Sequence, residues 1–245
     1  AIVAAGRNRL MSGRLEGRIA LVTGASRGIG AAVAKRFAAE GAHLILTART
    51  VGGLEEVDDD IQAIGGQATL IPADLLEMDQ IDQMGGAIHA RFGRLDILVG
   101  NAATLGILSP VAHVAPAVWE EAMTLNATVN YRLIRSFDPL LRQSDAGRAI
   151  FVTSGAAQGS FPYWGPYAVG KAALEALVRT YAGEIAKTDV QANLVDPGSV
   201  RTALRAEAFP GEDPMKLAAP EDVTETFVTL AEPGLQENGA VFHAQ

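Results

Sequence analysis

The chain has no cysteine among its 245 residues. Disulfide frameworks, thiolate metal sites and thiol nucleophiles are therefore excluded, while the compartment stays open. No apolar run approaches the ~20 residues of a membrane-spanning helix. Cations are the minority: 20 Lys and Arg stand against 28 Asp and Glu, for a formal net charge of −8. That balance argues against nucleic acid held through its phosphates. It leaves a dinucleotide open, which needs only one local cationic spot. The four histidines, His43, His89, His113 and His243, form no ligand-spaced cluster, so no metal is expected. Internal repeats and low-complexity tracts are absent as well.

Glycine is plentiful, with 26 residues, and 49 % of the chain is apolar. Strand-like apolar runs recur at 19–23, 44–47, 69–72, 97–100, 149–154, 192–195 and 240–242. Helix-like segments separate them. Continuous apolar strands alternating with helices predict an α/β fold: a doubly wound, mostly parallel seven-stranded sheet with helices on both faces. Residues 14–245 read as one domain. Residues 1–13 read as a flexible leader made basic by Arg7, Arg9, Arg14 and Arg18, with Met11 a candidate start and the residues before it an upstream extension.

Three local patterns carry chemistry. The first is Thr23-Gly24-Ala25-Ser26-Arg27-Gly28-Ile29-Gly30, between the first apolar run and a helix-like segment. Strand, glycine-rich turn and helix N-terminus is the layout that holds a dinucleotide pyrophosphate. Small residues also fill ordinary strand-to-helix turns. The second is Tyr167-Ala-Val-Gly-Lys171. On a helix, residues four apart share a face. A nearby ammonium stabilises phenolate and lowers the pKa of the phenol, which makes an acid/base tyrosine. A surface cation beside a half-buried tyrosine is the competing reading. The third is an absence. Enzymes that select NAD place Asp or Glu about twenty residues past the glycine turn. Here the second run ends Thr47-Ala48-Arg49, and Glu55 is the nearest carboxylate. Arg49, with Arg27 inside the turn, suits a 2′-phosphate and hence NADP(H) over NAD(H). Solvated surface arginines are the alternative.

Together these blocks resemble the short-chain dehydrogenase/reductase family, from Gly17 to the C-terminus. The glycine turn fits the family's T-G-x-x-x-G-x-G. Ala73-Asp74-Leu75 fits its acidic position after the third strand. Asp96 to Ala103 fits its D-x-h-h-N-N-A-G block, with Asn101 and Ala102 in register. Asn126 stands at its helix asparagine, and Ser154 lies thirteen residues before Tyr167. Asn193 to Gly198, with Thr202, fits N-x-h-x-P-G-x-x-x-T.

The resemblance implies a Rossmann-type catalytic domain and an NADP(H)-dependent interconversion of a carbonyl and a secondary alcohol. Tyr167 would be the acid/base and Lys171 its electrostatic partner and ribose ligand. Ser154 would donate to the substrate oxygen, and Asn126 would anchor a water leading to Lys171. Cofactor contacts would come from Gly24, Ser26, Arg27, Gly28, Ile29, Gly30, Arg49, Asp74, Leu75, Asn101, Ala102, Pro197, Gly198, Val200 and Thr202. Asp74 has a competing role as the cap of the following helix. The partner would be a small-molecule carbonyl or alcohol, with no nucleic acid and no membrane. The compartment would be cytoplasmic. The assembly would be a homotetramer or homodimer, built on the Tyr167 helix and the helix through Tyr131, Ile134 and Phe137. A 3-oxoacyl-carrier-protein reductase and a non-catalytic NADP(H)-binding sensor are the alternatives.

The sequence departs from the family pattern at Gly100, which replaces an asparagine, at Ala103, which replaces a glycine, and in its C-terminal residues. The expected lid, Thr202 to Leu217, is short. Tyr163, Trp164, Phe209 and Met215 could wall the substrate, or serve as core or subunit contacts. Arg201 and Arg205 could hold an anion, or remain solvated. The wild-type protein is expected to prefer NADPH to NADH, and Arg49→Ala to cost about 1.5–3 kcal/mol of NADPH binding, the range of a charged hydrogen bond. Titration with both nucleotides measures it; equal use of the two by the wild type overturns the assignment.

Overall fold

The computed structural model describes residues 13–245. The expected leader lies outside the described residues, apart from Gly13. Seven strands form one sheet: β1 (Ile19–Thr23), β2 (His43–Thr47), β3 (Gln67–Leu70), β4 (Ile97–Gly100), β5 (Arg148–Val152), β6 (Gln191–Asp196) and β7 (Val241–His243). Their order is β3-β2-β1-β4-β5-β6-β7, and every neighbouring pair is parallel. The helices are α1 (Gly28–Ala39), α2 (Val51–Ala63), α3 (Met78–Phe92), α4 (Pro116–Met123), α5 (Val129–Leu141), α6 (Gly165–Ile185), α7 (Ala203–Ala208) and α8 (Thr224–Ala231).

The sheet is buried on both faces, as its uninterrupted apolar strands require. Alternate residues of β1 point to opposite layers. Ala20 and Val22 join Val33, Phe37, Leu54, Ile61 and Phe227 from α1, α2 and α8. Leu21 joins Ile81, Ile88, Leu133, Phe137, Leu174 and Val178 from α3, α5 and α6. Burial of each such side chain is worth about 1.5–3 kcal/mol. The order in which successive strands are added reverses between β1 and β4. A crevice opens there beyond the carboxyl ends of the strands, where ligands bind in open α/β sheets. At the opposite end of β4, buried Asp96 pins the sheet. Its carboxylate accepts from the Ile19 amide at 2.8 Å, Ser144 Oγ at 2.6 Å and Arg94 Nε at 3.1 Å.

Several expectations need correction. Arg14 and Arg18 are not part of a free basic arm. Arg14 pairs with Glu225 and Glu232 on and after α8. Arg18 is buried and donates to the carbonyls of Asp96 and Ala146. Ile134 and Phe137 are 9 % and 0 % exposed and cannot be subunit contacts. With Leu133, Leu140 and Leu141 they form the apolar stripe that α5 turns to the sheet. Tyr131 on the same helix is exposed. The third strand ends at Leu70 and the fifth at Val152, each two residues before its expected end. Pro72 has no amide to continue the first, and Ser154 turns out of the second to cap a short helical turn at Gly155–Ala157.

Gly100 has a packing reason. A Cβ there would run into the Phe151 ring and lie 2.6 Å from Asn130 Oδ1. Gly100→Ala is therefore expected to cost about 1–3 kcal/mol by overpacking. In a double-mutant cycle with Phe151→Val the double variant should lose less stability than the sum of the two single losses. Urea denaturation measures it; a fully stable Gly100→Ala protein counts against the packing account.

Candidate active site

The crevice is a cleft of about 780 Å³. At one end lies the glycine turn. Gly24 and Gly28 have φ of +63° and +58°, values an L side chain resists. A Cβ on Gly30 would sit 2.6 Å from Asn101 Nδ2. The turn is thus shaped by close backbone approach, and α1 begins inside it. Arg27, just before α1, and Arg49, just after β2, both line the cleft and are exposed, with no ion-pair partner among the described residues. Ala48, Arg49 and Thr50 form the wall there, and no carboxylate stands among them.

At the other end, α6 carries Tyr167 and Lys171, and Ser154 stands just after β5. Pro166 in the first turn of α6 suits a position whose amide needs no partner in the helix. Lys171 is 2 % exposed, and its Nζ donates to the Val152 carbonyl at 2.7 Å. The ammonium lies 5.7 Å from the centroid of the Tyr167 ring. Burial holds Lys171 down at about 8. Tyr167 is pushed up to about 12, first by burial; a hydrogen bond with Ser154 lowers it and the charge of Asp196 raises it. The expected lowering of the phenol by its neighbour is thus reversed within the protein itself, because desolvation disfavours the charged form of both groups.

Asn126 sits where α4 passes into α5 through a wide turn at Thr124–Thr128, with the Val129 amide bonding back five residues to Thr124. The carboxamide is fully buried. Its Oδ1 accepts from the Thr104 amide at 3.0 Å and its Nδ2 donates to the Thr104 carbonyl at 2.9 Å. The side chain thus clamps the 101–106 loop, and what remains for a solvent relay is the main-chain carbonyl, which also accepts from Asn130 Nδ2. Asn101 likewise turns its amide to the carbonyls of Thr23 and Gly24, at 2.9 and 3.3 Å. Asp74 caps no helix: its Oδ1 accepts from the Leu76 amide, two residues on.

Residues 18–213 match the short chain dehydrogenase family. The chain belongs to that family. The oxidoreductase YciK of Escherichia coli K12 is 36 % identical to it over 235 residues, covering 94 % of this chain and 93 % of that protein. A fatty acyl-CoA reductase of Acinetobacter baylyi is 36 % identical over 194 residues, 78 % of this chain and 65 % of that enzyme. A short chain dehydrogenase of E. coli CFT073, complexed with NADPH, has the same fold with a TM-score of 0.92 at 35 % identity, covering 96 % of this chain and 99 % of that one.

Within this short-chain dehydrogenase the cleft gathers most of the sequence-derived residues. Gly24, Ser26, Arg27, Gly28, Ile29, Arg49, Asp74, Leu75, Asn101, Ala102, Ser154, Tyr167, Lys171, Pro197, Gly198, Val200 and Thr202 all line it. Gly30 and Asn126 stand behind the wall. Sequence reasoning missed Thr23 and Glu175 as supporting groups. Thr23 Oγ1 accepts from the Asn101 and Ala102 amides at 2.9 and 3.1 Å. Buried Glu175 accepts from Thr153 Oγ1 at 2.8 Å and Arg179 at 2.7 Å, which ties the strand end before Ser154 to α6. Its signal was available: it lies four residues beyond Lys171, on the face that carries Tyr167.

The depressed Lys171 has a consequence for stability. In the unfolded chain a lysine titrates near 10.4; folded, near 8. The folded protein therefore binds fewer protons between these values, and stability rises with pH there and is lost as pH falls through 8. Protein without nucleotide should gain about 2 kcal/mol from this group between pH 8 and 10. Urea denaturation across that window should show the gain in wild type and not in Lys171→Met. Parallel curves for the two proteins would show that the ammonium is not desolvated.

Proposed function

We propose that the protein is an NADP(H)-dependent oxidoreductase that interconverts a carbonyl and a secondary alcohol. The observation that carries the reading is one cleft with a glycine cradle and free arginines at one end and Tyr167, Lys171 and Ser154 at the other. The site fits the nucleotide on its own chemistry. The positive φ of Gly24 and Gly28 leaves room at the start of α1 for phosphate oxygens. The wall after β2 offers Arg49 where a carboxylate would repel a 2′-phosphate. Two neighbours of this fold carry NADPH and NADP in their crystals, which supports the same preference here.

When bound, the nicotinamide supplies or accepts the hydride; the protein's part is to bind, orient and move one proton. Ser154 donates to the substrate oxygen and holds it beside Tyr167. At neutral pH Tyr167 keeps its proton, since burial has raised it to about 12. It is therefore ready to protonate the oxygen of a carbonyl undergoing reduction. Lys171 stabilises the phenolate that this leaves. Its one protein partner among the described residues is the Val152 carbonyl, and an ammonium has two further donors for a ribose or a water. Asn126 holds the loop at Thr104 and offers its main-chain carbonyl to a water on the route to Lys171. Asp74 keeps one carboxylate oxygen for the adenine amino group. Val200 and Thr202, which line the cleft, would hold the nicotinamide end of the cofactor.

Assembly as a homodimer or homotetramer belongs to the same reading. Val169, Ala172 and Ala176 are exposed along α6, and Tyr131 is exposed on α5; small side chains permit close helix approach. A lone monomer in light scattering would remove that part. Among the described residues no helix is long and apolar enough to cross a membrane.

Tyr167→Phe should lower turnover by about 10² to 10⁴, the usual share of general acid catalysis, while NADPH affinity by fluorescence titration stays close to wild type. Retained turnover would remove the mechanism.

A further inference from the structure

The wall beside Tyr167 is apolar. Tyr167 lies in a small buried cluster with Leu105, Ala156 and Ala208, against which Trp164 and Leu204 pack. Trp164 meets Tyr167 edge-on at 5.9 Å and Phe209 at 5.5 Å. Trp164 thus lines the cleft next to the phenol, and Phe209, which lines a smaller adjoining pocket, packs against Trp164.

The charged groups beside them neutralise each other. Arg205 Nε and Nη2 each donate to Glu212 at 2.7 Å, a bidentate pair. The face of the same guanidinium lies 3.9 Å over the Phe209 ring. Edge and face of the cation are both occupied, so an anion arriving here must displace Glu212. Stacking in turn fixes the Phe209 ring opposite Trp164. Arg201, exposed and 3.4 Å from Met215 Sδ, is the remaining cation of this wall among the described residues. It lines the cleft and stacks on neither the Trp164 nor the Phe209 ring.

Resting on the oxidoreductase reading above, we propose that the substrate is an uncharged ketone or alcohol bearing an aromatic or comparably broad apolar group, which lies against Trp164, a ring backed in turn by Phe209. The Arg205–Glu212 pair is a positioning device for this wall and keeps Arg205 from anions. Carboxylate- and phosphate-bearing substrates are disfavoured by the same contacts. The preference arises because an anion beside Trp164 would lose solvent without gaining Arg205, whereas a flat apolar group gains ring contacts.

Acetophenone, 4-acetylbenzoate and butanone separate the terms. Binding is read by intrinsic tryptophan fluorescence with NADPH present, and turnover by loss of NADPH absorbance. Wild type should bind and reduce acetophenone at least about tenfold better than either of the others, the order of discrimination an apolar pocket provides. Trp164→Ala should raise Kd and KM for acetophenone more than for butanone. Glu212→Gln, which frees Arg205, should improve 4-acetylbenzoate and worsen acetophenone. The proposal is overturned if wild type takes 4-acetylbenzoate as well as acetophenone, or if the two variants change all three ketones alike. Turnover without the aryl preference sinks the substrate class and leaves the oxidoreductase reading standing. Preferential binding of acetophenone with no turnover of any ketone does the reverse.

Discussion

A buried ammonium hydrogen-bonded to a main-chain carbonyl is the constraint around which the rest of the site is organised. Lys171 lies on the buried face of α6 with its Nζ on the Val152 carbonyl. A charge kept out of water needs compensation, and burial alone pulls this lysine well below its usual value. The fold accepts that cost by leaving donors of the ammonium to the cleft. In this respect the site resembles other functional centres, where local stability is sacrificed for a group poised to interact with a ligand. Glu175 and Arg179 extend the same helix face, and through Thr153 they hold the strand end that presents both the Val152 carbonyl and Ser154.

The sheet explains why these groups meet. Its parallel order puts the carboxyl ends of β1, β4, β5 and β6 side by side, and each delivers one part of the cleft. The glycine turn follows β1, Asn101 follows β4, Ser154 follows β5, and Pro197 and Gly198 follow β6. Buried polar contacts then fix the loops to one another. Thr23 and Asn101 join the first two, Asn126 clamps the loop after β4, and the Gln245 amide donates to the Pro197 carbonyl at 2.7 Å. Preorganisation of this kind is what lets a shallow crevice hold a nucleotide and a substrate at fixed positions.

Much of the architecture was legible because it rests on local pattern. Apolar runs alternating with helix-like segments located all seven strands, with errors of one or two residues at their ends. Those errors fell where hydrogen bonding decides, as at Pro72 and Ser154. The spacing of Tyr167 and Lys171 put them on one helix face, and the glycines marked the turn. Helix faces were harder. Ile134 and Phe137 look available in the sequence, yet the sheet covers them, while Tyr131 three residues earlier stays outside. Arg14 and Arg18 read as a basic leader, but their carboxylate and carbonyl partners lie far along the chain.

What the sequence by itself determined is therefore the family, the order of strands and helices, and the identity of the groups at each end of the cleft. These depend on residues within a few positions of each other, whose geometry periodicity and turn chemistry dictate. Tertiary structure alone decided the sign of the Tyr167 shift, the use of the Asn126 and Asn101 amides as clamps, and the pairing that removes Arg205 from the list of free cations. Each of those depends on desolvation or on a partner brought near by folding, and neither quantity is written in local spacing.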